Sequence, residues 1–226
     1  MRVHNCIQGT TEWLQARSGI PTASEFDNIV TPTGKISKSQ DPYTYALIAE
    51  RIMGRPRVEA VSSWMKRGSI METEAAAFYE FQRDCDPEPV GFITNDEGTI
   101  GASPDRLVGD DGLLEIKCPS EHVHVAYLLS KALDRTYYPQ IMGQLWITGR
   151  TWVDILSYHP AMPPAIVRAE RDEEFIKLLA DEVTKFSERL EKLALELKER
   201  GLIRPVEKAK DGKAEYCDVD DLGGAA

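Results

Sequence analysis

Apolar residues recur every third or fourth position over several stretches of this chain, which is the spacing of helices that bury one face. The longest stretch runs from about 171 to 200 and predicts a long amphipathic helix. Two short helices are expected in the first 30 residues, the first capped by Thr10 or Thr11. Asp41 followed by Pro42 is typical of the start of another helix. Further helices are predicted at about 62–83, 121–133 and 137–148.

Between these helices the pattern changes to the alternation of apolar and polar residues that indicates strands. An extended segment begins at Val90, and turn residues at 95–98 and 109–112 separate it from two further strands. The order of these elements along the chain is helices, a run of strands, a helix pair and more strands. This order predicts an α/β domain with a central mixed sheet flanked by helices. The other strands are expected at 99–108, 113–118, 151–158 and 164–170.

The composition is that of an ordinary globular domain, with 42% hydrophobic and 28% charged residues. No apolar run is long enough to span a membrane and no signal peptide opens the chain, so we expect a soluble, intracellular protein. One domain is predicted over 1–205, with the acidic residues 206–226 as a flexible tail. The cysteines lack CxxC spacing, which argues against a zinc site and a disulfide framework. They are Cys6, Cys85, Cys118 and Cys217.

The formal net charge of -10 counts against a simple DNA-binding module, because proteins that hold DNA by charge alone are basic. The same charge is compatible with a metal-dependent nuclease, whose site needs carboxylates. Such an enzyme would depend on geometry and metal more than on net attraction for its substrate.

One pair of neighbouring strands concentrates candidate chemistry. In the predicted strand at 113–118, Glu115 and Lys117 share a face that we expect to be exposed, while Leu114 and Ile116 point into the core. The tight turn before this strand would bring Asp105 alongside Glu115. Two carboxylates suit Mg²⁺, and a nearby ammonium suits a water molecule or the charge on a phosphate. The alternative is an ion pair on the surface of a sheet, which is common.

Five blocks of sequence together resemble the lambda exonuclease family of viral recombination nucleases, within the PD-(D/E)xK nuclease superfamily. Pro104-Asp105 and Glu115-Ile116-Lys117 carry the superfamily motif itself. The resemblance implies a restriction-endonuclease-like core. The five blocks occur in the family's order at residues 12–24, 67–72, 101–105, 114–119 and 138–146.

The resemblance also implies roles for individual residues of the site. Metal ligands would be Asp105, Glu115 and the main-chain carbonyl of Ile116, with Lys117 positioning or activating the water. Glu72 would support the metal cluster, with Glu74 as a competitor on the same helix. Gln140 would contact the catalytic water or Lys117, with Gln144 one turn away on the same helix face.

A pocket for a terminal 5′-phosphate is implied at Arg17 and Ser24, since a guanidinium and a hydroxyl suit a phosphate dianion. The alternative for Arg17 is a cap at the end of its helix. The family uses a further basic residue in the following loop, for which Lys35 and Lys38 are the candidates here. Met65 matches an apolar wedge that splits the terminal base pair, and ordinary packing beside Trp64 is the alternative.

The family resemblance therefore predicts a Mg²⁺-dependent 5′-to-3′ exonuclease on double-stranded DNA, with Mn²⁺ as a substitute for the metal. Its product would be a 3′ single-stranded overhang for recombination by strand annealing. The resemblance further implies a ring-shaped homotrimer, a single-strand annealing protein as partner, and action in the cytoplasm of a bacterial host cell. The alternatives are an endonuclease or repair nuclease on the same core, and a non-catalytic DNA-binding protein.

Overall fold

The computed structural model describes residues 1–57 and 63–203, and for residues 63–70 it describes the backbone alone. The predicted tail at 206–226 therefore lies outside the described residues. The α-helices of the described residues are α1 (Thr11–Arg17), α2 (Gln40–Met53), α3 (Ser63–Arg83), α4 (Glu121–Ser130), α5 (Tyr138–Thr148) and α6 (Glu173–Glu199). Short 3₁₀ helices occupy Ala23–Asn28 and Arg135–Tyr137. The strands are β1 (Arg2–His4), β2 (Pro87–Pro89), β3 (Phe92–Thr94), β4 (Gly101–Ala102), β5 (Arg106–Val108), β6 (Gly112–Lys117), β7 (Trp152–Ser157) and β8 (Ala165–Glu170).

The larger sheet has five strands in the order β2-β5-β6-β7-β8. Strands β6 and β7 are parallel, and the other neighbours are antiparallel. A second, three-stranded antiparallel sheet has the order β1-β3-β4. The predicted α/β class with a central mixed sheet is confirmed.

The stretch 99–108 is not one strand, as the sequence pattern predicted, but two strands in different sheets. Gly101–Ala102 belongs to the smaller sheet and Arg106–Val108 to the larger one. Between them lies Pro104, which has no N–H to donate and so interrupts a ladder of backbone hydrogen bonds. The chain uses this interruption to cross from one sheet to the other immediately before Asp105.

The described helix boundaries follow the predicted ones within a few residues, and α1 is capped by Thr10, whose side chain accepts from the N–H of Trp13. Helix α2 begins one residue before Asp41, at Gln40, with Ser39 as its N-cap. Strands β1 and β2 had no signal in the pattern, because three residues are too few to establish an alternation.

The core lies on both faces of β6. Leu113 packs into a cluster with residues of α2, α5 and α6, while Leu114 and Ile116 pack with residues of α3 on the opposite face. The face that carries Glu115 was expected to be exposed. That expectation is wrong, because α5 covers it and leaves only 3% of Glu115 exposed.

Within residues 1–57 and 63–203, no helix combines the length and the apolar character that crossing a bilayer requires.

Candidate active site

Asp105 lies at the point where β5 begins and is anchored to the neighbouring strand by its side chain. Its Oδ2 accepts a hydrogen bond from the backbone N–H of Ile116 at 2.6 Å. The pairing of β5 with β6 ends at Arg106 and Leu114, so the edge of β6 beyond Leu114 is open to a side chain. The crossover at Pro104 thus places the Asp105 carboxylate beside β6, at the position where a further residue of β5 would otherwise pair.

The backbone of Ile116 presents its carbonyl to the same edge. In a strand, the N–H and C=O of one residue point to the same side, and successive residues alternate. The carbonyl of Lys117 faces β7, where it accepts from the N–H of Tyr158 at 2.9 Å. Ile116 therefore directs both its N–H and its carbonyl toward Asp105.

Glu115 is the hub of the site and accepts from three side chains. Lys117 Nζ and Gln140 Nε2 both donate to its Oε1, each at 2.7 Å. Gln144 Nε2 donates to its Oε2 at 2.8 Å. The two glutamines are one helical turn apart on α5, so one helix face supplies an amide to each carboxylate oxygen.

The ammonium of Lys117 is surrounded by negative charge and by an aromatic ring. It lies 2.7 Å from Glu115 and 4.5 Å from the ring centroid of Tyr137. Burial lowers the pKa of Lys117, but the charges of Glu115 and Asp105 raise it more, and the net shift is upward. Lys117 is therefore a cation at neutral pH.

Glu72 reaches the site through an arginine. Arg106 Nη1 lies 3.4 Å from Glu72 Oε1 and also donates to the main-chain carbonyl of Asp105 at 2.7 Å. The competing candidate, Glu74, lies instead near Tyr158, where burial and this carboxylate together raise the pKa of the Tyr158 hydroxyl. Of the two candidate acids on α3, Glu72 is the one connected to Asp105.

The pKa of Asp105 is raised well above its ordinary value, first by burial and then by the charge of Glu115. Glu72 adds to this rise, while the N–H of Ile116 and the charge of Lys117 oppose it. Carboxylates that repel one another in a partly buried site form an arrangement that a cation would relieve.

The available donors fit a hard divalent ion. Among the residues that the structure describes, no three side chains of the His, Cys, Asp or Glu types converge as a metal-binding group. Asp105 and Glu115 instead provide two carboxylates next to the outward carbonyl of Ile116. Mg²⁺ is commonly bound by one or two carboxylates and keeps several of its waters, so this oxygen set suits it.

Arg17 lies in a pocket made of hydroxyl groups and an indole. Its Nη1 donates to Ser103 Oγ at 3.1 Å, and its Nη2 donates to Ser24 Oγ at 3.0 Å and to Thr22 Oγ1 at 3.4 Å. The guanidinium carbon lies 4.2 Å from the ring centroid of Trp13. These contacts differ from those of a helix cap, because hydroxyls of other segments take the place of the helix carbonyls.

The Arg17 pocket is tied to the carboxylates by a short piece of chain. Ser103, which accepts from Arg17, stands two residues before Asp105, and Trp13 Nε1 also donates to its hydroxyl at 3.0 Å. Burial lowers the pKa of the Arg17 guanidinium below its ordinary value, and the described hydrogen-bond partners of Arg17 are neutral. A partly buried cation with neutral partners is a suitable receptor for an anion.

Residues 12–151 match the family of the YqaJ-like viral recombinase domain, which is more than half of the chain. The chain belongs to the YqaJ-like viral recombinase family. The resemblance to the lambda exonuclease family that the sequence motifs predicted is confirmed by this match. No curated protein matches the sequence.

Two crystal structures of an alkaline exonuclease from Laribacter hongkongensis, one of them in complex with dAMP, are similar to this family member. Both are 34% identical to it and cover 85% of its chain and 98% of their own, with TM-scores of 0.76 and 0.75. A phage related exonuclease from Haemophilus somnus 129PT has a TM-score of 0.63 and 15% identity, and covers 79% of this chain and 96% of its own. The last likeness concerns the fold alone.

Several residues of the site in this YqaJ-like protein were not singled out from the sequence, among them Ser103, Trp13 and Tyr137. Ser103 and Trp13 line the Arg17 pocket, and Tyr137 lies beside Lys117. A signal was present for Trp13, which stands four residues before Arg17 and so shares its helix face. Ser103 and Tyr137 come close only through tertiary contacts, for which the sequence pattern offered no signal.

Two further predictions about the pocket stay predictions. Lys35 and Lys38 are exposed in the loop after the first 3₁₀ helix, and within the described residues neither side chain forms a hydrogen bond or ion pair with Arg17 or Ser24. The side chain of Met65, the expected wedge, lies outside the described residues, although its backbone is part of α3.

Proposed function

We propose that this DNA nuclease of the YqaJ-like viral recombinase family is a Mg²⁺-dependent exonuclease that degrades double-stranded DNA from its 5′ end. It would leave a 3′ single-stranded overhang for recombination by strand annealing. The observation that carries the proposal is that Asp105 accepts from the Ile116 N–H while Lys117 donates to Glu115, which gathers the three charged side chains at one end of β6. The likeness to an alkaline exonuclease at 34% identity supports the same reaction class.

The metal would be held by Asp105, Glu115 and the carbonyl of Ile116, with Glu72 supporting the cluster from α3. Mn²⁺ would substitute, because it accepts the same oxygen ligands. The chemistry that a divalent ion supplies at such a site is Lewis acidity toward a phosphodiester and a lowered pKa of water.

Lys117 would act as a cation beside the scissile phosphate. Since its pKa is raised, it holds its proton at neutral pH and serves to orient the water and to neutralise charge that develops on phosphoryl oxygens. Gln140 and Lys117 donate to the same oxygen of Glu115, so Gln140 would hold the Glu115 carboxylate and the Lys117 ammonium in their relative positions. Both side chains would have to remain ordered when DNA enters.

The direction of digestion would be set by Arg17 and Ser24. A terminal 5′-phosphate bound there, with help from Lys35 or Lys38, would be a fixed distance from the carboxylates, because Ser103 links the pocket to Asp105. The phosphate would then place one particular phosphodiester over the metal. Met65 would separate the terminal base pair.

Removal of the 5′-phosphate from a linear duplex is expected to slow digestion about tenfold to a hundredfold. The reason is that the charged hydrogen bonds between Arg17 and the phosphate would contribute about 1.5–3 kcal/mol. Arg17→Ala should digest both kinds of end at the same slow rate, and Arg17→Lys should restore little, because an ammonium lacks the planar fork. Rates on matched duplexes with and without the phosphate measure this. Arg200→Ala, on the exposed end of α6, is the control and should keep the preference. A preference that survives Arg17→Ala would remove the pocket assignment.

The exonuclease proposal predicts that covalently closed circular duplex DNA is untouched while the same DNA, linearised, is degraded. An exonuclease needs an end, whereas an endonuclease on the same core would nick the circle. Labels placed separately on each end of the linear duplex report the direction, and a chelator should stop the reaction. Release of the 3′ label first would contradict the proposed polarity, and nicked circles would favour the endonuclease.

The proposal extends to assembly and partners. A homotrimeric ring around DNA would reconcile processive digestion with a net charge of -10, because a closed ring retains its substrate without electrostatic attraction. A single-strand annealing protein in the cytoplasm of a bacterial host would receive the overhang. The mass of the protein in solution, with and without a DNA end, tests the ring.

A further inference from the structure

Gln144 is a buried polar residue that is only half satisfied. It is 1% exposed, and its Nε2 donates to Glu115 Oε2 at 2.8 Å. Its Oε1 is buried and has no hydrogen-bond partner among the described residues. Because a carboxylate only accepts hydrogen bonds, the amide must turn its nitrogen toward Glu115, and the oxygen is left on the other side.

This arrangement costs stability. A buried amide oxygen without a donor costs about 1–3 kcal/mol, and a side chain of similar size without polar atoms would avoid that cost. Neighbouring positions on α5, at Ile141, Met142 and Leu145, are buried and apolar. A residue chosen for packing alone would be apolar here as well.

The contact to Glu115 explains why a glutamine is present. Oxygen Oε1 of Glu115 is shared by Lys117 and Gln140, while among the described residues Gln144 is the donor to Oε2. The terminal torsion of a glutamate is broad, so donors on both oxygens are needed to fix the plane of the carboxylate. Gln144 supplies the second of these two restraints.

We infer that Gln144 is a positioning residue, which holds the Glu115 carboxylate in the orientation that a divalent cation requires. The inference rests on the proposed function, since it assumes that Glu115 is a metal ligand. It makes Gln144 a determinant of metal affinity that acts through its hydrogen bond to Glu115.

The test is Gln144→Met, which keeps the volume of the side chain and removes the donor. Mg²⁺ binding to the DNA-free protein, followed by calorimetric titration, is expected to weaken about tenfold or more, as for other groups that orient metal ligands. The concentration of Mg²⁺ at half-maximal cleavage should rise in parallel. In chelator, the melting temperature should change by no more than about 4 °C, because the loss of a donor to Glu115 Oε2 costs stability while the removal of the unsatisfied Gln144 Oε1 restores part of it.

Gln40→Met is the matched control. Gln40 is a partly buried glutamine that donates to the Ile29 carbonyl and accepts from Arg189, away from the carboxylates. Its loss should lower the melting temperature and leave Mg²⁺ binding unchanged. Only Gln144→Met is thus expected to weaken metal binding, although both variants remove a side-chain donor.

Unchanged Mg²⁺ affinity in a folded Gln144→Met protein would overturn the inference. Gln144→Leu is the second apolar variant, and failure of both to fold would equally assign Gln144 a structural role. A wild-type protein that binds Mg²⁺ but does not cleave DNA would refute the proposed function alone. Mg²⁺ titration of the wild type and of Gln144→Met would still test whether Gln144 affects metal affinity. A wild type without Mg²⁺ binding would overturn both.

Discussion

Lys117→Ala is expected to reduce cleavage of linear duplex DNA by about a thousandfold or more at saturating Mg²⁺, while the protein stays folded. Electrostatic and proton-transfer groups of this kind are each worth about 10²–10⁴ in rate. Lys117 is the cation that the site places against Glu115, 2.7 Å away. With alanine, nothing in this position neutralises charge on the phosphoryl oxygens.

The fold should survive this substitution because Glu115 keeps two of its three donors. Gln140 and Gln144 still hold one oxygen each, so the carboxylate is not left without partners. Lys117→Arg should also be slow, since a longer, planar guanidinium cannot occupy the place of the ammonium beside Tyr137. Circular dichroism and thermal melting establish folding, and initial rates on end-labelled duplex establish activity.

Lys177→Ala is the matched control for Lys117, because Lys177 is an exposed lysine on α6 and should keep the wild-type rate. If Lys117→Ala cleaves within tenfold of the wild type in Mg²⁺, the assignment of Lys117 to the reaction is wrong. If its rate falls only as far as its folded fraction falls, Lys117 has a structural role.

The alternation of residues in β6 was sufficient to predict which side chains meet at the site. Leu114 and Ile116 lie in the core cluster with α3, and Glu115 and Lys117 share the opposite face, as a period of two requires. Register along one strand is a local property, so the sequence contains it. The exposure of that face was predicted wrongly, because it depends on α5, which arrives from a distant part of the chain.

The crossover before Asp105 shows a second limit of the pattern. Ser103 and Asp105 were expected on one continuous strand, whereas the chain changes sheets between Ala102 and Arg106. Pro104 marks a break, but a break alone does not say where the next residue goes. The position of Asp105 became clear only from its contact with the Ile116 N–H, which is tertiary.

The sequence motifs identified Arg17 and Ser24 as members of one pocket, but they did not identify the residues that surround the two side chains. A guanidinium and a hydroxyl at Arg17 and Ser24 do lie together, 3.0 Å apart. Ser103 and Trp13 complete the surroundings from other segments. Such partners come from packing between elements, which hydrophobic spacing does not encode.

Asp105→Asn is expected to abolish Mg²⁺-dependent cleavage, with a loss of at least about a thousandfold, since a ligand of a Lewis-acidic metal contributes several kcal/mol. Magnesium should also no longer raise the melting temperature, because an ion that binds only the folded state stabilises it in proportion to its affinity. Melting curves with and without Mg²⁺, together with cleavage rates, measure both effects.

The metal-free protein should respond in the opposite direction. Burial and the charges of Glu115 and Glu72 raise the pKa of Asp105, so its ionised form is less favourable in the folded than in the unfolded chain. This cost begins above the ordinary carboxyl pKa of about 3.9 and grows toward neutral pH. Asparagine can still accept from the Ile116 N–H and carries no charge. In chelator near pH 7 we expect Asp105→Asn to melt about 2–4 °C higher for each kcal/mol of repulsion relieved.

The gain should shrink as the pH falls toward 4, because Asp105 of the folded wild type takes up its proton above the ordinary carboxyl pKa and the two proteins then become alike. Asp110→Asn, in the exposed turn between β5 and β6, is the control and should change neither stability nor cleavage. A cluster of carboxylates kept as a structural ion-pair network would lose stability on this change and retain activity. Carboxylates gathered for a cation should do the reverse, since their mutual repulsion is a cost to the fold that metal binding offsets. A metal-free Asp105→Asn protein that melts below the wild type, or cleaves at its rate, would show that no such cost exists.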